Sequence, residues 1–459
     1  MTDQVSPTPT RTSRRTVLKA AAVAGGALVG GPMLWTPPAR AAGAPAGAHL
    51  TFGADPARAM ALSWSTPQPV RGAVVDLGLD RTYGLTLPAE STGAPLVDTI
   101  YHHVRADSLE PGQLYHYRLR HDGGEPFTGT FRTAAAESGG FTFVAFGDMG
   151  VGAAAQSHIT RIAAADPAFA FVVGDLCYAD MSGGTALPAQ QDPARWDAWL
   201  AQIQPSAARV PWMTTVGNHE MERGSGELGY QGYLSRFTLP GTGAPDGPAT
   251  YSFRYQNVGL ISLDGNDASY EIDRNRNYLG HHQDTWFAET LSAMRADERI
   301  DFIVVGFHNC MYCTNAVHGS DGGIRDRWGH LFDEHSVDLV VNGHNHCYER
   351  THPMRSGRPV AEAPVGATVD SASGTTYLTA GGGGQAEYPT STRPASYVVD
   401  ENGVRVPETA EWSAVPYMGH SIAVIDVEPA GDGRPATMTI TGVAVDGTRF
   451  DTVTLQRTR

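Results

Sequence analysis

Lysine is almost absent from this chain of 459 residues, because Lys19 is the only one. The chain beyond residue 19 therefore lacks the lysine that Schiff-base catalysis and the phosphate-binding loop of nucleotide hydrolases require. Long apolar runs are missing as well: after residue 41, no segment is long and apolar enough to span a bilayer. The composition, with 41% hydrophobic and 18% charged residues, is typical of a globular protein with a substantial core.

Basic residues are also in the minority. The chain has 33 Lys and Arg against 48 Asp and Glu, which gives a formal net charge of −15 at pH 7. Proteins that bind nucleic acid or anionic membranes through bulk charge have the opposite balance. We therefore predict no nucleic-acid-binding surface.

The first 41 residues differ from the rest. Arg14 and Arg15 precede a weakly apolar stretch at residues 20–31, and a small-x-small tripeptide follows at residues 39–41. These three features are typical of a cleavable signal peptide, and the paired arginines resemble the twin-arginine (Tat) export signal. The resemblance implies the Tat translocase as a partner during export, and a secreted or extracytoplasmic protein that begins near residue 42.

Residues 42–134 have the pattern of short strands. Apolar and polar side chains alternate at residues 60–65 and again at 115–120, as they do in strands with one buried face. The segment at residues 109–117, Leu-Glu-Pro-Gly-Gln-Leu-Tyr-His-Tyr, resembles the turn and strand of a fibronectin type III domain. We predict an all-β fibronectin III-like sandwich that packs against the next domain rather than binding a ligand of its own.

Residues 135–459 have a different pattern, in which continuous apolar runs end abruptly at glycine or a polar residue. Such runs are typical of strands covered by helices on both faces of the sheet, and residues 283–295 have the apolar spacing of a covering helix. We predict an α/β domain, whose reactive groups gather beyond the carboxyl ends of its strands. Residues 422–447 are expected to add a strand and a β-hairpin that close the domain.

The polar residues that follow these runs form short ordered motifs. Asp, Asn and His supply the oxygen and nitrogen donors that hold transition metals. In chain order the motifs are Gly147-Asp148-Met149-Gly150, Gly174-Asp175-Leu176-Cys177-Tyr178, Gly217-Asn218-His219-Glu220, Val305-Gly306-Phe307-His308 and Gly343-His344-Asn345-His346. This set, followed by Tyr348-Glu349-Arg350, resembles the purple acid phosphatase family of the calcineurin-like metallophosphoesterase superfamily. The resemblance implies a four-layer α/β/β/α catalytic domain.

One position distinguishes the family from the wider superfamily, whose first motif is Asp-x-His. This chain has Gly150 in place of the histidine, and the resemblance assigns the missing ligand to Tyr178, whose phenolate is a hard donor suited to Fe(III). The implied ligands of the ferric ion are Asp148, Asp175, Tyr178 and His346. The second ion, a divalent Zn, Mn or Fe, would share Asp175 and be held also by Asn218, His308 and His344.

The resemblance also implies a reaction, the hydrolysis of phosphomonoesters by an exported acid phosphatase in which the two metal ions generate a hydroxide nucleophile. His219 resembles the family's phosphate-contacting histidine, and His318 aligns with its second candidate acid. For His318, a solvated loop position is the other interpretation. Asp321 either orients His318 or ends the turn at residues 319–323.

Two alternatives to the acid phosphatase stay open. The same metal core serves phosphodiesterases that act on nucleotides or glycerophosphodiesters. A non-catalytic cell-surface binding protein is the alternative of another class, and it is disfavoured because a competent residue fills every metal-ligand position.

The four cysteines, Cys177, Cys310, Cys313 and Cys347, all lie inside or beside the metal motifs. Cys310 and Cys313 form a Cys-x-x-Cys pair. The sequence lacks the second such pair that a zinc ribbon requires and the thioredoxin-like context that a redox site requires. Structural disulfides of undetermined pairing are favoured over buried thiols, since the protein is expected to be exported. The glycine run at residues 381–384 is expected to form a tight loop at the rim of the site.

Overall fold

The computed structural model describes residues 43–183, 191–221, 227–388 and 395–458. The predicted signal peptide at residues 1–41 lies outside the described residues and stays a prediction. Within the described ranges, none of the helices is long and apolar enough to cross a membrane.

Two four-stranded antiparallel sheets form the N-terminal part, with strand orders β1-β2-β6-β5 and β4-β3-β7-β8. Their strands are β1 (Ala46–Phe52), β2 (Met60–Thr66), β3 (Val74–Gly78), β4 (Leu85–Pro88), β5 (Glu90–Gly93), β6 (Ile100–Ala106), β7 (Leu114–Arg120) and β8 (Phe127–Arg132). Tyr115, Tyr117 and Leu119 alternate along β7 as buried residues, because successive side chains of a strand point to opposite faces. The predicted all-β sandwich is confirmed.

The sandwich packs on the rest of the chain partly through polar side chains, among them the half-buried His103. The Nδ1 atom of His103, on β6, lies 2.9 Å from the Ser63 hydroxyl and 3.1 Å from the Thr238 hydroxyl, and its Nε2 lies 3.1 Å from the Ser235 carbonyl. The carbonyl can only accept, so Nε2 carries the proton and Nδ1 accepts from the hydroxyls. This arrangement suits a neutral imidazole.

Acid is expected to weaken the folded state through His103. Burial lowers its pKa to about 4, and His49 acts in the same direction, whereas an unfolded-chain histidine titrates near pH ~6.5. The unfolded state therefore takes up a proton that the folded state excludes, so the stability falls as the pH falls from about 6.5 to about 4. In urea denaturation series, His103→Gln should flatten this dependence by up to ~1.4 kcal/mol per pH unit.

His281, whose side chain is 96% exposed, provides the control for this experiment. His281→Gln should leave the pH dependence of the free energy of unfolding unchanged. An equal flattening in both variants, or none in His103→Gln, would contradict the assignment.

Two seven-stranded sheets form the second part of the fold. The first has the order β11-β10-β9-β25-β26-β27-β20, with β9 (Phe141–Phe146), β10 (Phe169–Val173), β11 (Trp212–Thr215), β20 (Ala367–Asp370), β25 (Ser421–Glu428), β26 (Ala436–Ala444) and β27 (Arg449–Arg457). The second has the order β12-β13-β14-β16-β21-β17-β24, with β12 (Tyr251–Tyr255), β13 (Val258–Ser262), β14 (Phe302–Gly306), β16 (Leu339–Asn342), β17 (Tyr348–Thr351), β21 (Thr376–Ala380) and β24 (Ser413–Tyr417).

The sheets lie face to face, with helices on their outer faces. Leu260, Val304 and Val341 of the second sheet share one core with the first sheet. Their neighbours along the strands, such as Ile261 and Ile303, pack instead in the core beneath the helices. The helices are α1 (Ala153–Ala165), α2 (Ala194–Ala207), the short α3 (Gln231–Leu234), α4 (His282–Ala296) and α5 (Gly322–Glu334). The predicted four-layer α/β/β/α architecture is confirmed.

Smaller elements complete the fold. A three-stranded sheet contains β15 (Ser320–Asp321), β22 (Ala395–Val399) and β23 (Arg405–Thr409), and β18 (Met354–Arg355) pairs with β19 (Arg358–Pro359). The C-terminal strand and hairpin are β25, β26 and β27, and β25 pairs with β9. Since β8 ends at Arg132 and β9 begins at Phe141, we propose domains at residues 42–134 and 135–459.

Candidate metal centre

The predicted ligands lie where the parallel strands end. The strands β9, β10 and β11 are parallel to one another, as are β13, β14, β16 and β21. Asp148, Asp175 and Asn218 follow the strands of the first sheet, and His308 and His344 follow those of the second. The facing sheets bring these strand ends together at one edge.

The backbone at these positions adopts an unusual conformation. Four of the predicted ligands have a positive φ, namely Asp148 (58°), Asp175 (50°), Tyr178 (59°) and His344 (67°). Residues with a side chain rarely adopt the left-handed region, and the strain is typical of functional sites. The strand-end turns therefore hold these side chains in orientations that an ordinary loop would not provide.

One group of donor atoms forms around Asp175. Its Oδ2 lies 3.0 Å from His308 Nε2, which lies 3.3 Å from His344 Nδ1. Ligand atoms of these three buried residues all lie within 4.8 Å of one another. This is the spacing of side chains that share one metal ion.

Asn218 offers a fourth donor atom, its side-chain oxygen. Its amide Nδ2 donates to the Gly183 carbonyl at 3.1 Å, while its buried Oδ1 has no hydrogen-bond partner within the described parts of the chain. An unpaired buried oxygen is costly unless a cation or another donor satisfies it. The donor set around Asp175 therefore fits a divalent cation.

A second group forms around Tyr178. Its hydroxyl lies 3.2 Å from Asp148 Oδ1 and 3.0 Å from His346 Nε2. The Asp148 Oδ1 atom also lies 3.9 Å from His308 Nε2, so the two groups adjoin. The structure thus brings together all seven side chains that the sequence predicts as ligands.

The electrostatics of the two groups favour cations. Burial alone would lower the pKa of His308, but the carboxylates of Asp175 and Asp148 raise it to about 10. Burial raises the pKa of the Tyr178 phenol well above its usual value, and the same carboxylates act in that direction. A phenolate therefore forms here only beside a strongly charged cation.

The three histidines are oriented by their second ring nitrogens. His308 Nδ1 lies 2.8 Å from the Val173 carbonyl, and His346 Nδ1 lies 2.6 Å from the Ala386 carbonyl. In each ring this nitrogen donates, so the other nitrogen presents a lone pair to the centre. His344 Nε2 has a side-chain partner instead, because it lies 2.6 Å from Glu271 Oε2.

Glu220 joins two of the strand-end turns through hydrogen bonds. Its buried carboxylate accepts hydrogen bonds from the backbone N–H groups of Asp175, Leu176 and Gly217, each at 2.8 Å. A Cβ atom at Gly217 would lie 2.2 Å from Asp175 Oδ1, so this approach requires glycine. The turns that carry Asp175 and Asn218 are thereby held in register.

The two predicted catalytic histidines line the same cleft, which has a volume of about 570 Å³. His219 Nδ1 lies 2.5 Å from the Asp180 carbonyl, and its Nε2 lies 3.9 Å from Asp175 Oδ2. His318 Nδ1 lies 3.2 Å from Glu271 Oε1. His318 is therefore hydrogen-bonded, with 28% of its side chain exposed, rather than fully solvated.

The role of Asp321 is that of a helix cap. Its Oδ1 accepts hydrogen bonds from the N–H groups of Gly323 and Ile324 at the start of α5, and its Oδ2 accepts one from the Ser269 hydroxyl. The first interpretation, in which Asp321 orients His318, is wrong because Glu271 takes that position.

The expectation of disulfides is wrong for Cys310, Cys313 and Cys347, which form one buried cluster of thiols. The sulfur atoms of Cys313 and Cys347 lie 3.8 Å apart, whereas a disulfide bond is about 2 Å long. The Cys310 thiol donates to the Gly343 carbonyl at 2.7 Å. These sulfurs pack behind the metal motifs as small, inert, buried groups.

Gln385, next to the glycine-rich loop, occupies the space beside Gly150, where the wider superfamily has a histidine. A Cβ atom at Gly150, whose φ is 59°, would lie 1.9 Å from Gln385 Nε2. Gln385 follows the run at residues 381–384, and its N–H donates to the Asp148 carbonyl at 3.1 Å. The loop therefore packs against the first metal motif, and a side chain at position 150 would displace it.

Among the described residues, Glu271, Gln385 and Tyr388 make contacts in this site that the sequence motifs did not indicate. The Tyr388 ring stacks on His346 with a centroid separation of 3.9 Å and an angle of 9°. Glu271 lies in the connection between β13 and α4, which carries no motif. The glycine run at residues 381–384 indicated the loop that carries Gln385 and Tyr388, but it did not indicate their contacts, because loops far apart in the chain create them.

Both parts of the fold match known protein families. Residues 141–348 match the calcineurin-like phosphoesterase family, and residues 45–134 match the purple acid phosphatase N-terminal domain. An uncharacterized protein of Mycobacterium tuberculosis is 32% identical in an alignment of 493 positions that spans 94% of this chain and 90% of that protein. A phosphoenolpyruvate phosphatase of Allium cepa is 28% identical, with 74% of this chain and 69% of that protein covered.

A solved structure has the same fold. The purple acid phosphatase from yellow lupin (Lupinus luteus) seeds superposes with a TM-score of 0.72 at 20% identity, covering 90% of this chain and 75% of that one. The two matched domains occur here in order, and the donor atoms of the metal motifs meet at one edge of the sheets. The chain therefore belongs to the purple acid phosphatase-type calcineurin-like metallophosphoesterases and is a metal-dependent phosphoric ester hydrolase.

Proposed function

We propose that this protein is an exported acid phosphatase that hydrolyses phosphomonoesters at a dinuclear centre of Fe(III) and a divalent ion. The observation that carries the proposal is the convergence of the Tyr178 hydroxyl, Asp148 and His346 beside the group of Asp175, His308 and His344. A phenol in this position supports a ferric ion, since Fe(III) is hard and strongly charged. The twin-arginine pattern at residues 14 and 15 supports export.

We assign the ferric ion to Asp148, Asp175, Tyr178 and His346. We assign the divalent ion, Zn, Mn or Fe, to Asp175, Asn218, His308 and His344. When bound, the two ions would supply an activated water nucleophile and stabilise the charge on the phosphoryl oxygens.

The side chains around the ions bind and protonate the ester. His219 Nδ1 is hydrogen-bonded to the Asp180 carbonyl. Its Nε2 is therefore the nitrogen that contacts a phosphoryl oxygen or donates a proton to the leaving alkoxide. His318 Nδ1 is committed to Glu271, which leaves its Nε2 for the same tasks. Both histidines line the cleft in which an ester bound to the two ions would lie.

A panel of phosphomonoesters and phosphodiesters assayed between about pH 4 and pH 8 tests this proposal. We expect a higher kcat/KM for monoesters than for diesters, because a monoester presents more charged oxygens to the cations. We also expect maximal activity below neutral pH. A preference for nucleotide diesters or glycerophosphodiesters would replace the proposal with the phosphodiesterase. Purified protein with less than one tightly held ion per chain and no activity on either class would instead favour the cell-surface binding protein.

A further inference from the structure

Glu271 uses both carboxylate oxygens inside the site. It lies in the connection between β13 and α4, with 19% of its side chain exposed. Its Oε2 lies 2.6 Å from His344 Nε2, and its Oε1 lies 3.2 Å from His318 Nδ1. One carboxylate thus joins a proposed metal ligand to a proposed acid.

The hydrogen bond to His344 determines which of its nitrogens faces the centre. His344 Nδ1 lies 3.3 Å from His308 Nε2, on the side of the Asp175 group. Its Nε2 therefore carries the proton and donates to Glu271, which leaves the Nδ1 lone pair for a cation. Partners of this kind fix the tautomer and the ring orientation of ligating histidines.

Glu271 differs from the partners of the other two histidines. His308 and His346 donate to main-chain carbonyls of Val173 and Ala386, which no substitution removes. Glu271 is an ionised side chain, and hydrogen bonds to a charged acceptor are about twice as strong as neutral ones. The orientation of His344 therefore depends on a single replaceable group.

The same carboxylate holds the neighbouring ring. The centroids of His318 and His344 lie 3.9 Å apart, so the two imidazoles pack side by side with Glu271 bridging them. Because His318 donates from Nδ1, its Nε2 is the nitrogen left for the cleft. Among the contacts described for these rings, Glu271 is the one side-chain partner of His344 Nε2 and of His318 Nδ1, so its loss leaves both nitrogens without a side-chain acceptor.

A direct role of Glu271 as a metal ligand does not fit the geometry. The nitrogen that it contacts is the one that faces away from the Asp175 group, and 2.6 Å is the length of a charge-assisted hydrogen bond.

We propose that Glu271 is a positioning residue that orients His344 toward the divalent ion and His318 toward the leaving group. The inference rests on the proposed function, since it assumes that His344 holds the ion and that His318 meets the ester. It predicts that loss of Glu271 has two separable consequences, one on ion affinity and one on protonation of the ester.

The first test measures ion affinity by chelator competition on the full-length protein, without reference to turnover. We expect Glu271→Ala to weaken retention of the divalent ion by about 10–100-fold, the usual cost of removing such a partner, while the ferric ion is retained. His318→Ala should leave ion affinity unchanged, because it spares the bond to His344. Asp273→Asn, an exposed change in the same connection, is the matched control and should match the wild type.

The second test compares alkyl with activated aryl phosphates at saturating divalent ion. Glu271→Ala and His318→Ala should both lose more kcat on the alkyl ester, whereas Asp273→Asn should not. Glu271→Gln keeps the side-chain length and one acceptor oxygen, so its kcat on the alkyl ester should lie between the values of the wild type and of Glu271→Ala. This variant keeps the test decisive if Glu271→Ala fails to fold.

The outcomes separate this inference from the proposed function. Wild-type ion affinity in both Glu271→Ala and Glu271→Gln overturns the positioning role, even if the wild type is a monoesterase. Equal losses of ion affinity in Glu271→Ala and Asp273→Asn also overturn it. A wild type that holds ions but hydrolyses no monoester rejects the proposed function, and the affinity measurement still decides the role of Glu271 toward His344.

Discussion

Tyr178→Phe is expected to abolish the colour of the iron-loaded protein while the fold survives. If the Tyr178 oxygen binds Fe(III) as a phenolate, charge transfer between the two gives a broad visible band and a pink to purple protein. Phenylalanine keeps the buried ring and removes the hydroxyl, which lies 3.0 Å from His346 Nε2 and 3.2 Å from Asp148 Oδ1. The band should therefore disappear completely, and thermal unfolding should stay cooperative.

The measurement is the visible absorption spectrum of wild type and variant under oxidising conditions, with iron content determined in parallel. The variant for comparison is His308→Ala. Because His308 belongs to the Asp175 group, this substitution should lower activity while much of the colour remains. A colourless iron-loaded wild type, or a purple Tyr178→Phe variant, would show that Tyr178 is not a ferric ligand. The metal centre would then be of the general metallophosphoesterase type.

His219→Ala is expected to reduce turnover of alkyl phosphates by about 10²–10⁴-fold, and turnover of activated aryl phosphates by much less. The Nε2 atom of His219 lies 3.9 Å from Asp175 Oδ2, at the cleft and next to the metal groups. A poor leaving group needs a proton as its bond to phosphorus breaks, whereas an activated aryl oxide does not. The difference between the two esters therefore isolates proton donation from binding.

The spectrum provides the control for this variant. The His219 ring contacts Tyr178, with centroids 4.3 Å apart, but the bond to Asp175 Oδ1 comes from its backbone N–H. His219→Ala should therefore keep the visible band and the ions. Equal losses of kcat on both esters, with the band intact, would leave His219 as a phosphate contact only and transfer the role of acid to His318.

Much of the fold could be predicted because its signals are local. Alternation along β7 indicates a strand with one buried face, and the structure has Tyr115, Tyr117 and Leu119 buried there. The uninterrupted apolar runs indicate strands covered on both sides, as the two cores on either face of β13 and β14 confirm. In each case the pattern of a few neighbouring residues is sufficient, because side-chain direction follows from backbone geometry.

The positions of Asp148, Asp175 and His308 could also be predicted, since each lies two residues after the end of a strand. Parallel strands place their carboxyl ends at one edge of a sheet, so residues far apart in the chain meet without any detailed knowledge of loops. The four positive φ angles at Asp148, Asp175, Tyr178 and His344 could not be predicted. They depend on hydrogen bonds from other segments, such as those that Glu220 accepts.

The sequence by itself determined the two-part architecture and the set of side chains that meet at the strand ends, because short-range patterns and sheet topology specify both. Only the tertiary structure decided the contacts of long connections. These include Glu271 between His344 and His318, Gln385 against Gly150, the cap that Asp321 forms on α5, and the thiol cluster around Cys313. The path of a connection, and hence the partner of each side chain, depends on the packing of the whole domain rather than on neighbouring residues.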